Sequence, residues 1–422
     1  MAILIKNARI IDPSGELDRA GDILVERGKI AAVGENLSAP AGKTIDASGL
    51  CVAPGLVDMH VHTREPGYTY KDDTVSVAEA AAAGGVTSFA AMPNTKPVVS
   101  SADTIDFIKS KADGARVKVF PVASMVCDGD YASLTDFGEL KNAGAIAFSN
   151  DGICIPDAKT LLLALQQAEW HGVPLLIHSE DVSLSGGGII NEGVVSAALG
   201  VQGMPFTSEN VGTARDLMTA RSTQANIHLC HVSTSSALET VRFAKKTGVR
   251  VTAETCPQYF MLNDELLMLQ DADYRCNPPI RSELDRRAVL RAIADGTIDA
   301  IATDHAPHSA DEKKDFFNAP NGVLGLETSL AAGITALVNR GYITLFKLIY
   351  MMSTVPAQIL GIDAGSLKEG SNADIALFDP AEKWIVETDR LHGKARNSPF
   401  KGMELTGRVK YTLVDGEIVY QD

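Results

Sequence analysis

Through the middle of the chain, short apolar runs rich in β-branched residues alternate with stretches of helical periodicity. Eight such runs stand out, at residues 53–59, 86–93, 116–123, 145–151, 174–179, 226–233, 250–255 and 299–304. They are nearly continuous in apolar character rather than strictly alternating, as strands of a parallel sheet covered on both faces must be. Between them lie Ala/Leu-rich or amphipathic segments such as DDTVSVAEAAAAGG, DAKTLLLALQQAEWHG and SSALETVRFAKKTG. Several close on the Gly expected just past a helix C-terminus. Eight strands alternating with helices predict an α/β fold, a (β/α)8 TIM-type barrel, which the helical pattern of residues 325–360 completes.

The two ends read differently. Residues 3–11 and 22–33 alternate around a turn at Glu26-Arg27-Gly28-Lys29, and residues 373–378 and 409–420 do the same, the latter around Asp415-Gly416. The expectation is one small β domain built from residues 1–52 and 365–422, flanking a barrel of residues 53–364. Two connectors are long. Residues 180–210, with Gly186-Gly187-Gly188, read as irregular; residues 308–322, polar and charged, read as a lid over a site or as a solvated loop.

Composition narrows the picture. A chain of 422 residues, 45% of them hydrophobic, can bury about three quarters of its extended surface, so no disulfide is needed to hold the fold. The six cysteines form no CxxC pair and most fall in apolar runs, which reads as buried reduced thiols, with Cys256 a packing residue. No apolar run approaches the roughly 18 residues of a membrane span. Lys6, Asn7 and Arg9 stand where a signal peptide would be apolar, so a cytoplasmic protein with no membrane partner is expected. Fifty-three acidic against 38 basic residues, a net charge of -15, argue against nucleic acid as a partner. They do not decide the sign of a small substrate, because surface charges beyond about 8–10 Å are largely screened.

Candidate chemistry lies at the ends of the predicted strands. His60 and His62 follow the first run, Asp151 closes the fourth, His178 and His231 stand near the ends of the fifth and sixth, and Asp304 closes the eighth. All six thus belong to the face of a barrel that carries active sites. An i, i+2 pair in extended backbone projects to one side, so His60 and His62 can bind one ion. Imidazole with carboxylate suits Zn2+, and a carboxylate can bridge two ions. His171, His228 and His392 fall outside this pattern and read as structural or surface residues.

Two segments carry a resemblance. Asp58-Met59-His60-Val61-His62-Thr63-Arg64-Glu65-Pro66-Gly67 and Ala302-Thr303-Asp304-His305-Ala306-Pro307-His308, with Lys313 five residues on, resemble the signature motifs of dihydroorotases in the amidohydrolase superfamily. Thr63 stands where the family usually has an apolar residue. Met92-Pro93-Asn94-Thr95, Ser149-Asn150-Asp151-Gly152, His178-Ser179-Glu180-Asp181, Cys230-His231-Val232-Ser233-Thr234 and Asn277-Pro278-Pro279-Ile280-Arg281 also match, and the likeness spans essentially the whole chain. Asp151, where many relatives carry a carboxylated lysine, is similar to the bacterial type I enzymes rather than to dihydropyrimidinases or allantoinases.

The resemblance implies reversible, zinc-dependent cyclisation of N-carbamoyl-L-aspartate to L-dihydroorotate in pyrimidine biosynthesis. It places one zinc on His60, His62 and Asp304 and a second on His178 and His231, with Asp151 bridging. One or two ions per chain are expected, two when fully loaded. Asp304 is the implied general acid/base. Arg64 takes the substrate carboxylate with Asn94, His308 and His62 nearby, while Asn277, the backbone at Gly322 and Val323 meet the pyrimidine edge; Arg281 stands further out. A homodimer is expected, with aspartate carbamoyltransferase as a possible partner. Two other readings stay open: a cyclic amidohydrolase for rings without a carboxylate, and a silent structural partner of the carbamoyltransferase, against which the complete ligand set speaks.

Overall fold

The computed structural model describes residues 2–39, 42–152, 155 and 157–422. Eight parallel strands follow one another around a sheet in sequence order. They are β1 (Leu56–Val61), β2 (Val86–Ala91), β3 (Lys118–Ser124), β4 (Ala147–Ser149), β5 (Leu175–Ile177), β6 (Ile227–Leu229), β7 (Val251–Thr255) and β8 (Ala300–Ile301). Each falls within or overlaps one of the eight apolar runs. The circle closes just past β8, where His305 bridges Val61 and the His62 N–H donates to the His305 carbonyl at 2.9 Å.

The runs are continuous because alternate residues face two different apolar surroundings. Val57, Met59, Ala90, Met92, Val122, Ala147, Leu176 and Ala300 fill the barrel interior. Leu56, Phe89, Ala91, Leu175, Ile177, Ile227 and Leu229 pack outward against the helices. The connectors enter their helices on capping side chains: Asp73, Ser101, Asp136, Asp157, Thr234 and Ser282 each accept a backbone N–H of the first turn. Helix Val355–Leu360 joins the interior cluster, and the nearby Ser353 hydroxyl donates to the Gly55 carbonyl at 2.7 Å. It therefore plugs the barrel at the entry of β1, leaving the other end for chemistry.

The terminal strands form a separate eight-stranded sheet. Cys51–Pro54 lies at its middle, parallel to Ala2–Asp12 and antiparallel to Ile375–Ile385. The run read as one strand at 53–59 is therefore divided between two sheets. Gly55 is the crossing point, where a Cβ would lie 2.1 Å from the Thr87 hydroxyl. Both predicted hairpins are present, with Arg27-Gly28 at φ 53 and 76 and Asp415-Gly416 at φ 46 and 74, the left-handed pair that a two-residue turn needs.

The connector at 180–210 is not irregular. It holds helices Val182–Ser185 and Val194–Leu199, and Ile190–Asn191 pairs with Gly203–Met204. Gly186, Gly187 and Gly200 serve as left-handed helix ends and turns rather than as slack. Residues 308–322 have no regular element, yet they are stapled down. Lys313 donates to the carbonyls of Ala272 (3.0 Å) and Pro320 (2.9 Å), Arg275 donates to the Phe316 carbonyl (2.7 Å), and Phe316 is buried. Cys51, Cys230, Cys256 and Cys276 are buried free thiols and Cys127 is partly buried; Cys154 lies outside the described residues. No described helix is long and apolar enough to cross a membrane.

Candidate metal centre

All six strand-end His and Asp side chains converge at the open end of the barrel. His60 Nε2 lies 3.5 Å from both Asp151 and Asp304, and His62 Nε2 lies 3.4 Å from Asp151 and 3.1 Å from Asp304. On the other side of Asp151, His178 Nδ1 is 3.5 Å and His231 Nε2 3.6 Å from its carboxylate, and the two ring nitrogens are 3.0 Å apart. The backbone is bent to achieve this. Arg64, His231 and Asp304 have φ of 64, 37 and 51, in a left-handed region that costs a residue with a Cβ about 1–3 kcal/mol and that clusters at functional sites.

A second partner orients three of the four imidazoles. His62 Nδ1 meets Asn94 Oδ1 at 2.7 Å, His178 Nε2 meets Glu180 at 2.8 Å, and His60 Nδ1 meets Glu254 at 2.9 Å. Asp58 holds the strand ends together, one oxygen accepting the N–H groups of His60 (3.1 Å) and Thr303 (3.2 Å). Burial pushes against charge throughout, but pairing wins at Asp151, whose carboxyl is held well below its usual range by the surrounding imidazoles. Glu180 is likewise opposed by burial, yet His178 and Asn277 bring it down to about 2.

Above the six residues is a cavity of about 140 Å³ lined by His62, Arg64, Asn94, Asp151, Gly152, His178, Asn277, Asp304, Ala306, Asn321 and Gly322. His60 and His231 lie beneath it. Arg64 commits its Nε to the Pro307 carbonyl at 3.0 Å. Its terminal nitrogen stands 3.3 Å from His308 Nε2. Burial and the nearby Arg64 and Lys71 cations push His308 down to about 2, so its ring is neutral. Lys71 donates to Nδ1 (3.2 Å) and the Nε2–H donates to the Asn321 carbonyl (2.9 Å). The guanidinium therefore faces a ring N–H, and among the described residues it hydrogen-bonds to no carboxylate.

Not every residue singled out from the sequence reaches the cavity. His308 stands beside Arg64 and lines no part of the cavity. Val323 is wholly buried in the core and offers the site only backbone, its carbonyl accepting the Ala306 N–H at 2.8 Å. Asn277 does line the cavity, where its Nδ2 donates to Glu180 at 3.0 Å and its buried Oδ1 has no partner among the described residues. Arg281 stands outside, donating to Ser233, Asn191 and Glu209, each at 3.1 Å, and so ties the 180–210 connector to the end of β6. Arg281→Met should lower stability by about 3–5 kcal/mol, because Glu209 would remain buried without its counter-ion. A urea midpoint equal to the parent's would refute this.

Sequence reasoning missed Glu180, Glu254 and Asn321. Two of them left a trace: Glu180 is two residues after His178, the same i, i+2 spacing as His60 and His62, and Glu254 is an acid inside a strand that should be apolar on both faces. His228, read as structural, bonds Glu254 inside the barrel at 3.2 Å, while His392 pairs with Glu327 at 2.8 Å at the surface.

The donor set suits a metal ion. His60, His62 and Asp151, and Asp151, His178 and His231, form two buried groups whose ligand atoms lie within 4.8 Å of one another. His60 Nε2 is buried and makes no hydrogen bond among the described residues, as expected of an atom reserved for an ion.

The amidohydrolase family profile matches residues 51–419. Over their full lengths the chain is 48% identical to the dihydroorotase of Geobacter metallireducens, 46% to that of Citrifermentans bemidjiense and 45% to that of Syntrophus aciditrophicus. Among solved structures it resembles the L-hydantoinase (dihydropyrimidinase) of Arthrobacter aurescens, with a TM-score of 0.90 and 27% identity over 99% of this chain and 96% of that one. A D-hydantoinase (dihydropyrimidinase) from Thermus sp. gives a TM-score of 0.86 and 26% identity over 100% and 95%. The backbone is thus shared with hydantoinases, whereas sequence identity is far higher to the dihydroorotases. The chain belongs to the amidohydrolase family, on its dihydroorotase branch.

Proposed function

We propose that this centre interconverts N-carbamoyl-L-aspartate and L-dihydroorotate, the ring-closing step of pyrimidine biosynthesis, in the cytoplasm. One observation carries the reading beyond the fold: beside a set of four histidines and two aspartates stands Arg64, a cation that among the described residues hydrogen-bonds to no carboxylate. His60, His62 and Asp304 would hold one zinc and His178 and His231 a second, with Asp151 between them, so one ion or two per chain are accommodated. Zinc held there supplies a water activated at neutral pH and polarises the amide carbonyl under attack.

The protein's own groups do the rest. Arg64 presents a planar fork to the substrate carboxylate, and His308, kept neutral, adds no competing charge. Asn94 spends its carbonyl on His62, which leaves its amide nitrogen, 3.4 Å from Asp151, for the substrate. The Asn277 Oδ1, unpartnered, and the backbone at Gly322 and Val323 face or support the pyrimidine edge. In ring opening, water adds to the ring carbonyl, the carbon–nitrogen bond breaks, and Asp304 takes the proton of the water and delivers it to the departing nitrogen. Ring closure runs the same steps backwards. A homodimer, and association with aspartate carbamoyltransferase, are compatible with this role; size-exclusion chromatography of the mixed proteins tests the latter, and unshifted elution counts against it.

The decisive experiment pairs metal analysis with L-dihydroorotate ring opening. Zinc-loaded protein should open the ring. Dialysis against a chelator should abolish turnover, and added Zn2+ should restore it. A metal-replete protein inert toward L-dihydroorotate would remove the assignment. The likeness to hydantoinases favours the one alternative, a ring without a carboxylate, which Arg64 speaks against.

A further inference from the structure

We propose that Glu254 and His228 form a positioning relay inside the barrel that fixes His60 as a ligand through Nε2 and thereby sets how tightly the centre retains its ion. The inference rests on the metal-binding reading of the centre. Glu254 is on β7 and has no exposed surface. Its Oε1 lies 2.9 Å from His60 Nδ1 and its Oε2 lies 3.2 Å from His228 Nε2, while His228 Nδ1 lies 2.8 Å from the Thr252 hydroxyl. Among the described residues no Lys or Arg salt-bridges this carboxylate.

These contacts fix every proton along the line. A carboxylate accepts only, so His60 must carry its proton on Nδ1 and His228 on Nε2. The Thr252 hydroxyl then donates to His228 Nδ1, and the lone pair of His60 Nε2 is left toward Asp151 and Asp304. His62 and His178 are oriented differently, by Asn94, which lines the substrate cavity, and by Glu180, which accepts from the cavity residue Asn277. Glu254 and His228 line no part of that cavity. They can therefore act on metal retention without touching substrate, which a merely structural role would not single out. Carboxylates that orient ligating histidines typically change metal affinity 10–100-fold when removed.

The test uses Co2+ as probe, titrated against a competing chelator into the metal-free full-length protein and followed by its visible absorption. Glu254→Gln keeps size but sets an amide NH2 against one of the two imidazole N–H groups that need an acceptor, and should weaken retention 10–100-fold, with KM for L-dihydroorotate at saturating metal unchanged. His228→Gln, which removes only the outer link and serves if Glu254→Gln does not fold, should weaken it severalfold. Parent-like retention in a folded variant overturns the relay while leaving the metal centre standing. If the parent itself takes up no Co2+, the metal reading fails and the relay with it.

Discussion

Asp304→Asn should lower kcat for L-dihydroorotate opening by about 10³-fold or more. The substitution preserves volume and one oxygen, so the cavity keeps its shape, but an amide cannot take up and return a proton. Positioned acid–base groups contribute about 10²–10⁴-fold, and Asp304 would also lose ligand strength toward the ion shared with His60 and His62. Its carboxylate, 3.1 Å from His62 Nε2, is held at that spot by a backbone in the left-handed region. Metal content should be measured beside kcat, so that loss of the ion and loss of the proton carrier are separated. Activity within tenfold of the parent in a metal-loaded variant would exclude Asp304 from proton transfer.

Arg64→Ala should cut kcat/KM for L-dihydroorotate by about 10²–10³-fold. That corresponds to about 3–4 kcal/mol, in keeping with the loss of two charge-assisted hydrogen bonds. The same variant should leave any turnover of hydantoin or dihydrouracil, whose rings carry no carboxylate, within a few fold. Arg64→Lys should rescue little, because an ammonium cannot reproduce the fork held by the Pro307 carbonyl. Unchanged kinetics on L-dihydroorotate would show that the guanidinium does not read the carboxylate, and the substrate assignment would have to move to a neutral ring.

These predictions rest on residues that are largely legible in the sequence. The strands could be read because each buries two faces, and the chemistry could be read because barrel sites collect at strand ends, so His60, His62, Asp151, His178, His231 and Asp304 marked themselves by position. What was illegible is non-local. Apolar pattern cannot say which of two sheets a strand joins, so the division at Gly55 was invisible. Glu254 resembles noise in an apolar run until His60 and His228 are seen on either side of it. Asn397 has no motif at all. It comes from the C-terminal segment to accept the His308 N–H (3.1 Å) and donate to the carbonyls of Gly322 (2.9 Å) and Ala306 (3.2 Å), securing the cavity wall from 75 to 91 residues away.

The place of Cys51–Pro54 between Ala2–Asp12 and Ile375–Ile385 bears on how the chain is made. When a ribosome has finished residue 54, the early strands can pair with one another, but the edge destined for residue 375 stays open. About 320 further residues must be added first, which at 5–20 residues per second takes roughly a quarter of a minute to a minute. Throughout that time the nascent chain presents an unsatisfied strand edge of the kind that invites pairing between molecules. On crowded polysomes neighbouring copies would meet at that edge. The sheet that joins the two termini is therefore the last part of the molecule to be completed and, during translation, the part most in need of shielding.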